Sequence, residues 1–199
     1  MSDGHEWVDL GLSVKWATCN IGAASSEEFG QYFAWGEISP KNEYDWSNYR
    51  YRISGNKYAD LIFSKYNTNS DHGAVDNKEC LEPADDAAKQ NWGDSWRMPT
   101  SKEWSELVEK CTWTWCVRKG HYGYEVKSKK NGNIIFLPAA GSRISDALSG
   151  TDENGYYWSS ILDDNLHSTH AKSVNFSSLG IGRTDIPRYD GCSIRPVTE

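Results

Sequence analysis

The sequence predicts an α+β fold, and three features of its 199 residues lead to this expectation. The first is an amphipathic helix over residues 100–111, and the second is a late run of strands that begins near Tyr122. The third is the order of the elements, because helices that precede a run of strands, rather than alternating with them, are typical of α+β domains. We therefore expect two helices packed on mostly antiparallel β-strands.

The two helices are predicted near the middle of the chain. In the clearer one, Thr100 and Glu103 have the spacing of a capping box. Its apolar residues recur at helical spacing and form one stripe: Trp104, Leu107, Val108 and Cys111. A shorter helix is predicted over residues 83–91, because Pro is tolerated in a first turn and Asp85 and Asp86 favour the positive end of the helix dipole. We interpret both helices as structural.

Strands are predicted on both sides of the helices. Residues 7–10 and 14–18 are typical of short strands near the N-terminus. Asn131-Gly132 is a strong hairpin signal, and residues 134–137 form a continuous apolar run, as expected for a strand buried on both faces. Further strands are predicted at residues 156–161, 172–177 and 192–197.

Residues 40–77 show no sustained period and form a long irregular insertion. The insertion carries Tyr and Trp side chains among Asn, Ser and Lys: Tyr44, Trp46, Tyr49, Tyr51, Tyr58 and Tyr66. Structureless loops of this length are uncommon in compact domains and are often functional. We favour a structural interpretation, in which the aromatic side chains pin the insertion over the core. Because no repeat or linker marks a boundary, we predict one domain over residues 1–199.

Composition excludes several classes of partner. The net charge is −7 and the chain has no run of Lys or Arg, which argues against nucleic acid as a ligand. No stretch approaches the ~18 apolar residues of a membrane-spanning helix. The first residues, MSDGHEWVDLGL, lack the basic and apolar regions of a signal peptide, so we expect a protein made without one or with one removed. Five irregularly spaced cysteines predict separate, mostly buried thiols rather than a disulfide framework, although Cys111 and Cys116 are close enough in sequence to pair or bind metal.

Residues 96–104, WRMPTSKEW, resemble an element shared by formylglycine-generating-enzyme-like domains and the variable proteins of diversity-generating retroelements. Further blocks look like the Fibrobacter-type major paralogous domain, in order over nearly the whole chain: VDLGLSVKWATCNIGA, YFAWGE, DDAAKQNWGDSWRMPT, CTWTW, NGNIIFLPAAGSR, GYYWSS and GCSIRPV. The resemblance implies a C-type lectin-like fold. It also implies that a late β-hairpin region presents the C-terminal segment on the surface.

The resemblance also implies a function. In retroelement variable proteins the diversified segment is C-terminal and ends in a strand similar to residues 191–197, GCSIRPV. Codon changes at adenines place exchangeable polar residues at ligand-facing positions while the scaffold stays fixed. By resemblance we expect a non-enzymatic ligand-binding protein of this kind. The alternative within binding proteins is an undiversified surface or secreted paralog of the same fold.

Residues 155–197 are the predicted binding segment, with apolar anchors at both ends and a polar middle. Val174 and Phe176 are expected to point inward, which turns Ser173, Asn175 and Ser177 outward. The other candidate ligand-binding residues are expected in turns or on edges: Asp163, Asp164, His167, Ser168, Arg183, Thr184, Asp185, Arg188, Tyr189 and Asp190. Tyr and Arg are over-represented at binding hot spots. Taken singly, each residue is better explained as an ordinary loop residue, and only the set indicates binding.

The sequence predicts no metal site and no cofactor. Glu82-Pro83-Ala84 resembles the start of a lectin calcium loop but lacks its Asn, and the W-N-D strand is missing, so calcium-dependent sugar binding is not expected. His167 and His170 near Asp163 and Asp164 contain donors for a transition metal, but we interpret them as surface side chains.

An enzyme is the rival class, and we predict that the chain is not one. An oxidase of the formylglycine-generating type needs reactive cysteines in a pocket, and Cys192 has no second cysteine close by in sequence. No hydrolase, phosphate-loop or zinc-protease motif is present. The expected partner is therefore a protein or glycan, on another cell. The resemblance places the chain at a cell surface, among secreted proteins or in a phage virion.

Overall fold

The computed structural model describes residues 3–56, 59–163 and 168–199. Over these residues the helices are α1 (Ala87–Trp92) and α2 (Ser101–Lys110). The strands are β1 (Trp7–Val8), β2 (Lys15–Ala17), β3 (Arg52–Asn56), β4 (Ala59–Phe63), β5 (Cys111–Arg118), β6 (His121–Ser128), β7 (Ile134–Pro138), β8 (Ala140–Ile144), β9 (Ala147–Thr151), β10 (Asn154–Leu162), β11 (His170–Ser177), β12 (Gly180–Pro187) and β13 (Val197–Thr198). Short 3₁₀ turns lie at Trp46–Asn48, Ser70–His72 and Pro83–Asp85.

The strands form four sheets. The largest has the order β12-β11-β10-β8-β9, and a second has the order β5-β6-β7. Smaller sheets contain β1-β2-β13 and β3-β4. Strand pairs are antiparallel except for the contact of β10 with β8. The α+β prediction is therefore confirmed, and none of the described helices is long and apolar enough to cross a membrane.

Helix α2 matches its prediction. Thr100 caps the helix, because its Oγ1 accepts from the Glu103 N–H and the Glu103 carboxylate accepts from the Thr100 N–H. Trp104 and Leu107 are buried against the sheet that contains β10 and β11. The helix thus holds one side of the largest sheet in place.

Replacing Thr100 with Ala is expected to lower the free energy of unfolding by about 1 kcal/mol, the usual cost of losing an N-cap. Replacing Thr100 with Ser keeps the hydroxyl and is expected to cost little. Urea denaturation followed by tryptophan fluorescence measures both changes. Equal losses for the two variants would contradict the capping role.

The prediction of one helix over residues 83–91 is wrong in detail. Pro83–Asp85 forms a 3₁₀ turn, and α1 begins only at Ala87. Asp86 is the reason, because its carboxylate accepts from the N–H groups of Ala88 and Lys89 and so acts as the N-cap. The same carboxylate accepts from the Met98 N–H, which ties α1 to the start of α2.

Residues 40–77 are more regular than predicted, since they contain the hairpin β3–β4 and two 3₁₀ turns. The expected pinning by aromatic side chains is confirmed for the described residues. Tyr49 and Tyr51 are buried and donate hydrogen bonds to the carbonyls of Trp35 and Gly36. Tyr58 lies outside the described residues.

The core has two clusters. The first joins the insertion to the C-terminal part of the chain and includes Tyr49, Tyr66, Trp96, Trp158 and Cys192. The second lies between the two larger sheets and α2, and includes Trp16, Trp104, Leu137, Tyr157 and Phe176. The largest sheet separates the clusters, because Tyr157 and Trp158 are neighbours in β10 and point to opposite faces.

The strand predicted at residues 192–197 is only partly present. Val197–Thr198 pairs with β2, whereas Cys192 and Ser193 form isolated bridges with Phe33 and Tyr157. Residues 191–198 are all buried, because this stretch runs between Phe33 and Tyr157 rather than along a sheet face. Conversely, β12 (Gly180–Pro187) is a strand that its Gly-rich, polar sequence does not predict, and pairing with β11 along all eight residues explains it.

Candidate functional site

The hairpin β11–β12 lies at the edge of the largest sheet and carries the middle of the predicted binding segment. Its register places Ser173 opposite Thr184 and Val174 opposite Arg183. Val174 and Phe176 are buried in the second core cluster, as predicted. The alternation of the strand therefore turns Ser173, Asn175 and Ser177 to the other face, which is also as predicted.

Exposure differs along this other face. Asn175 and Ser177 are half-buried, but Ser173 is only 4% exposed. Ser173 pairs with Trp158, which belongs to the first core cluster. The Ser173 hydroxyl donates a hydrogen bond to the Thr184 carbonyl. The prediction that Ser173 faces solvent is therefore wrong, because the sheet is covered at this end.

Strand β12 places Arg183, Thr184 and Asp185 on the sheet edge. The Arg183 side chain is 56% exposed and forms a 3.8 Å ion pair with Glu109. Thr184 and Asp185 are half-buried, with Asp185 opposite Lys172 in the register. Charged side chains and Pro187 on this edge disfavour pairing with another strand.

A small recess of about 60 Å³ lies between α2 and the hairpin. Trp104 and Val174 contribute apolar surface to it, while Lys172, Arg183 and Asp185 contribute charged groups. An apolar floor with a polar rim is the usual arrangement of a protein contact site. The recess therefore has the chemistry to hold one small side chain of a ligand.

Arg188 is a correction to the predicted site, because it is fully buried. Its Nε donates to the Tyr49 hydroxyl at 2.9 Å, and its terminal nitrogens donate to three carbonyl groups, those of Lys65, Tyr66 and Ser168. Four aromatic rings surround the guanidinium at 4.7–5.9 Å: Trp35, Tyr49, Tyr51 and Phe63. Arg188 thus fastens the insertion to the C-terminal segment.

Asp163 and Ser168 are also buried, which contradicts the expectation of exposed turns. The Ser168 hydroxyl accepts from the Thr68 N–H at 2.8 Å, and its carbonyl accepts from Arg188. The insertion residue Thr68 therefore contacts Ser168 directly. Asp164 and His167 lie outside the described residues, so their predicted roles stay predictions.

The last two candidates lie beside the core. Tyr189 is half-buried and packs edge-to-face on Trp46, with ring centroids 4.9 Å apart. Asp190 is only 6% exposed, and its Oδ1 has no hydrogen-bond partner among the described residues. Burial raises the pKa of Asp190 to about 7. Neither residue presents the free polar surface that the sequence predicts.

The metal and enzyme hypotheses depend on a few side chains. Among the described residues, no group of three His, Cys, Asp or Glu is placed to hold a metal ion. His170 is half-buried, its Nδ1 lies 2.8 Å from Thr169 Oγ1, and burial lowers its pKa. Cys192 is fully buried, and burial raises its pKa well above the usual value, which favours an inert thiol.

Arg195 is a structural residue that the sequence interpretation missed. It is fully buried, and it donates to Asn20 Oδ1 and to the carbonyls of Ala17, Thr18 and Phe136. A sequence signal was available here, because Arg195 stands between Ile194 and Pro196 in an otherwise apolar stretch. No comparable signal separates buried Arg188 from exposed Arg183.

Six predicted residues are exposed or half-buried, but Tyr189 packs on Trp46 of the core. We call the other five, which lie on the edge hairpin, the display residues: Asn175, Ser177, Arg183, Thr184 and Asp185. They occupy both sides of the edge hairpin rather than one face. Comparison with known proteins gives no match, since no protein-family model, curated protein or solved structure is significantly similar to the chain.

Proposed function

We propose that the chain is a non-enzymatic ligand-binding protein with a C-type lectin-like fold, whose C-terminal hairpin displays exchangeable residues. In this proposal it is the variable protein of a diversity-generating retroelement. The resemblance of its sequence blocks to that family, and the α+β architecture with two described helices, support the assignment. The ligand is a protein or glycan on another cell.

One observation carries the proposal, namely that the hairpin β11–β12 is fixed at its base and open at its edge. Before it, Tyr157 and Trp158 are fully buried, and after it Arg188 and Arg195 are fully buried and hydrogen-bonded. The display residues lie between these anchors. Because exposed substitutions usually change the free energy of unfolding by less than about 0.5 kcal/mol, such residues can vary while the fold persists.

The recess beside α2 gives the hairpin a place for ligand contact. Arg183 and Asp185 line its rim, and the rigid helix α2 contributes Trp104. Changing the rim residues would change ligand preference while Trp104 and Val174 stay fixed. The buried Cys192 supports binding over the oxidase alternative, since a reactive thiol needs access to its substrate.

Two matched libraries test the display role, each with five randomised positions taken from the predicted site. The first library varies the display residues, and the second varies the buried residues Asp163, Ser168, Ser173, Arg188 and Asp190. We expect most members of the first library to remain folded and most of the second to unfold, as measured by protease resistance on the surface of yeast. Equal survival of the two libraries would overturn the proposal.

The neighbouring DNA separates the variable protein from an undiversified paralog. We expect a reverse-transcriptase gene and a near-copy of the 3′ coding region that differs at adenines. The absence of both would contradict the retroelement assignment but would not contradict the proposal that the chain binds a ligand. For the oxidase alternative, loss of a measurable oxidase activity in the Cys192→Ser variant would overturn the non-enzymatic assignment.

A further inference from the structure

A groove of about 410 Å³ lies between the β5–β6 hairpin and the tip of the β11–β12 hairpin. We propose that this groove binds the guanidinium group of an arginine side chain on a basic protein partner. Trp115 and Tyr122 form an aromatic wall, Asp152 and Glu153 supply carboxylates, and Leu179 closes one end. Four of these residues, Trp115, Tyr122, Asp152 and Glu153, lie outside the predicted binding segment.

The aromatic wall is exposed yet firmly held. Trp115 pairs with Tyr124, and Val117 pairs with Tyr122, so Trp115 and Tyr122 are diagonal neighbours on one face of the sheet. Their ring planes lie within 18° of parallel, with centroids 6.0 Å apart. Tyr122 is 44% exposed, whereas Trp115 also packs against Phe176 of the core. A planar guanidinium stacks on such ring faces.

The carboxylates lie in the turn between β9 and β10. Asp152 accepts a 2.8 Å hydrogen bond from the Tyr122 N–H and lies 3.3 Å from His121 Nδ1, which fixes it next to the aromatic wall. Glu153 is exposed and forms no ion pair with any described residue. The residues that line the groove include no Lys or Arg. The groove therefore presents the Glu153 carboxylate without a basic neighbour among its lining residues, whereas Asp152 has His121 beside it.

The carboxylates of the groove favour a positively charged ligand group. A guanidinium can stack on a ring and pair with a carboxylate at the same time, because it is flat and carries donors at its edge. An anionic sugar or a phosphate would meet the carboxylates without compensation. The net charge of −7 also favours a basic partner over an acidic one.

Leu179 enlarges the surface that a protein partner would contact at the groove. It is 97% exposed at the turn between β11 and β12, and Val117 is 49% exposed on the neighbouring hairpin. These two exposed apolar side chains add apolar area beside the groove that a protein partner would cover. The inference rests on the proposed function only in taking the ligand to be a protein, since most of the groove belongs to the scaffold.

Titration by two-dimensional ¹H–¹⁵N NMR tests the inference with N-acetyl-arginine-N-methylamide as the probe. We expect saturable shifts at the Trp115 indole N–H and the Tyr122 amide. The citrulline analogue has nearly the same shape without the charge, and we expect roughly tenfold weaker binding from the loss of an ion pair and a cation–π contact. Added salt should weaken the arginine probe alone.

Matched variants locate the site. Glu153→Gln is expected to weaken binding of the arginine probe by roughly fivefold, whereas Glu43→Gln, an exposed acid outside the groove, should not change it. Tyr122→Leu should remove the shift at Trp115. Equal binding of the arginine and citrulline probes, or shifts away from the groove, would overturn the inference. Neither result bears on the survival of the two display libraries, so the two proposals fail separately.

Discussion

The Arg188→Met variant should lose about 3 kcal/mol or more of its free energy of unfolding. Methionine fills much of the same volume but donates no hydrogen bond. The substitution leaves the carbonyls of Lys65, Tyr66 and Ser168 without this donor in a buried setting. Each buried acceptor that loses its partner costs about 1–3 kcal/mol, and the loss of contacts with four aromatic rings adds to this.

Arg183→Met provides the matched control for this variant. The same chemical change is made five residues away, but the Arg183 side chain is 56% exposed. We expect its free energy of unfolding to stay within about 0.5 kcal/mol of the parent protein. Guanidinium chloride denaturation, followed by tryptophan fluorescence, measures both variants. A similar loss for the two variants would show that Arg188 is not the anchor described above.

Arg188→Lys separates the role of charge from the role of geometry. Lysine keeps the positive charge but cannot reproduce the planar set of donors that reaches four acceptors. We expect Arg188→Lys to lose most of the free energy of unfolding that Arg188→Met loses. Full recovery of stability with Lys would mean that the charge alone, held among the aromatic rings, fastens the insertion.

Asp190→Asn is expected to stabilise the protein above pH 7 by an amount on the order of 4 kcal/mol. The Asp190 side chain is almost fully buried, and its Oδ1 has no hydrogen-bond partner among the described residues. Burial raises the pKa of Asp190 from its usual 3.8 to about 7 in the folded protein. Each unit between the folded and unfolded pKa corresponds to about 1.4 kcal/mol.

The direction of the pH dependence follows from proton binding. Below pH 4 the carboxyl is protonated in both states, so Asp190 costs nothing there. Between pH 4 and about 7 the unfolded chain releases the proton while the folded chain keeps it, and the stability contribution of Asp190 falls as the pH rises. Above about pH 7 the penalty is constant, because the carboxylate is ionised in both states.

Denaturation of the parent protein and the Asp190→Asn variant at pH 4, 6 and 8 measures this dependence. The difference in free energy of unfolding between the variant and the parent protein should be small at pH 4 and largest at pH 8. Asp146→Asn removes one exposed carboxyl and serves as the control for the loss of a negative charge. If the difference between Asp190→Asn and the parent is the same at all three pH values, Asp190 does not titrate as described.

Local patterns predicted the parts of the fold that local interactions stabilise. The capping box at Thr100 and the apolar stripe that follows are satisfied within one helix, and α2 forms where they indicate. Asn131-Gly132 lies in the connection between β6 and β7, and the apolar run of residues 134–137 lies within buried β7. Each signal needs only neighbours a few residues away.

The exposure of the candidate site residues was harder to predict than the helices and strands. These residues are of similar polar types, and they differ in which other parts of the chain cover them. Ser173 and Ser177 alternate correctly on β11, yet the end of the sheet near Trp158 buries the first and leaves the second half-buried. Asp163, Ser168 and Arg188 look like loop residues in the sequence, yet all three are buried. Residues of the insertion contact Ser168 and Arg188 directly. Strand β12 lacks a strand pattern of its own and forms by pairing with β11.

The sequence by itself determined the α+β class, the capped helix α2 and the inward direction of Val174 and Phe176. These features follow from side-chain periodicity and capping, which are properties of neighbouring residues. Only the tertiary structure decided which polar residues of the C-terminal segment meet solvent. The burial of Arg188, for example, depends on Lys65 and Tyr66, which lie more than 100 positions away in the sequence.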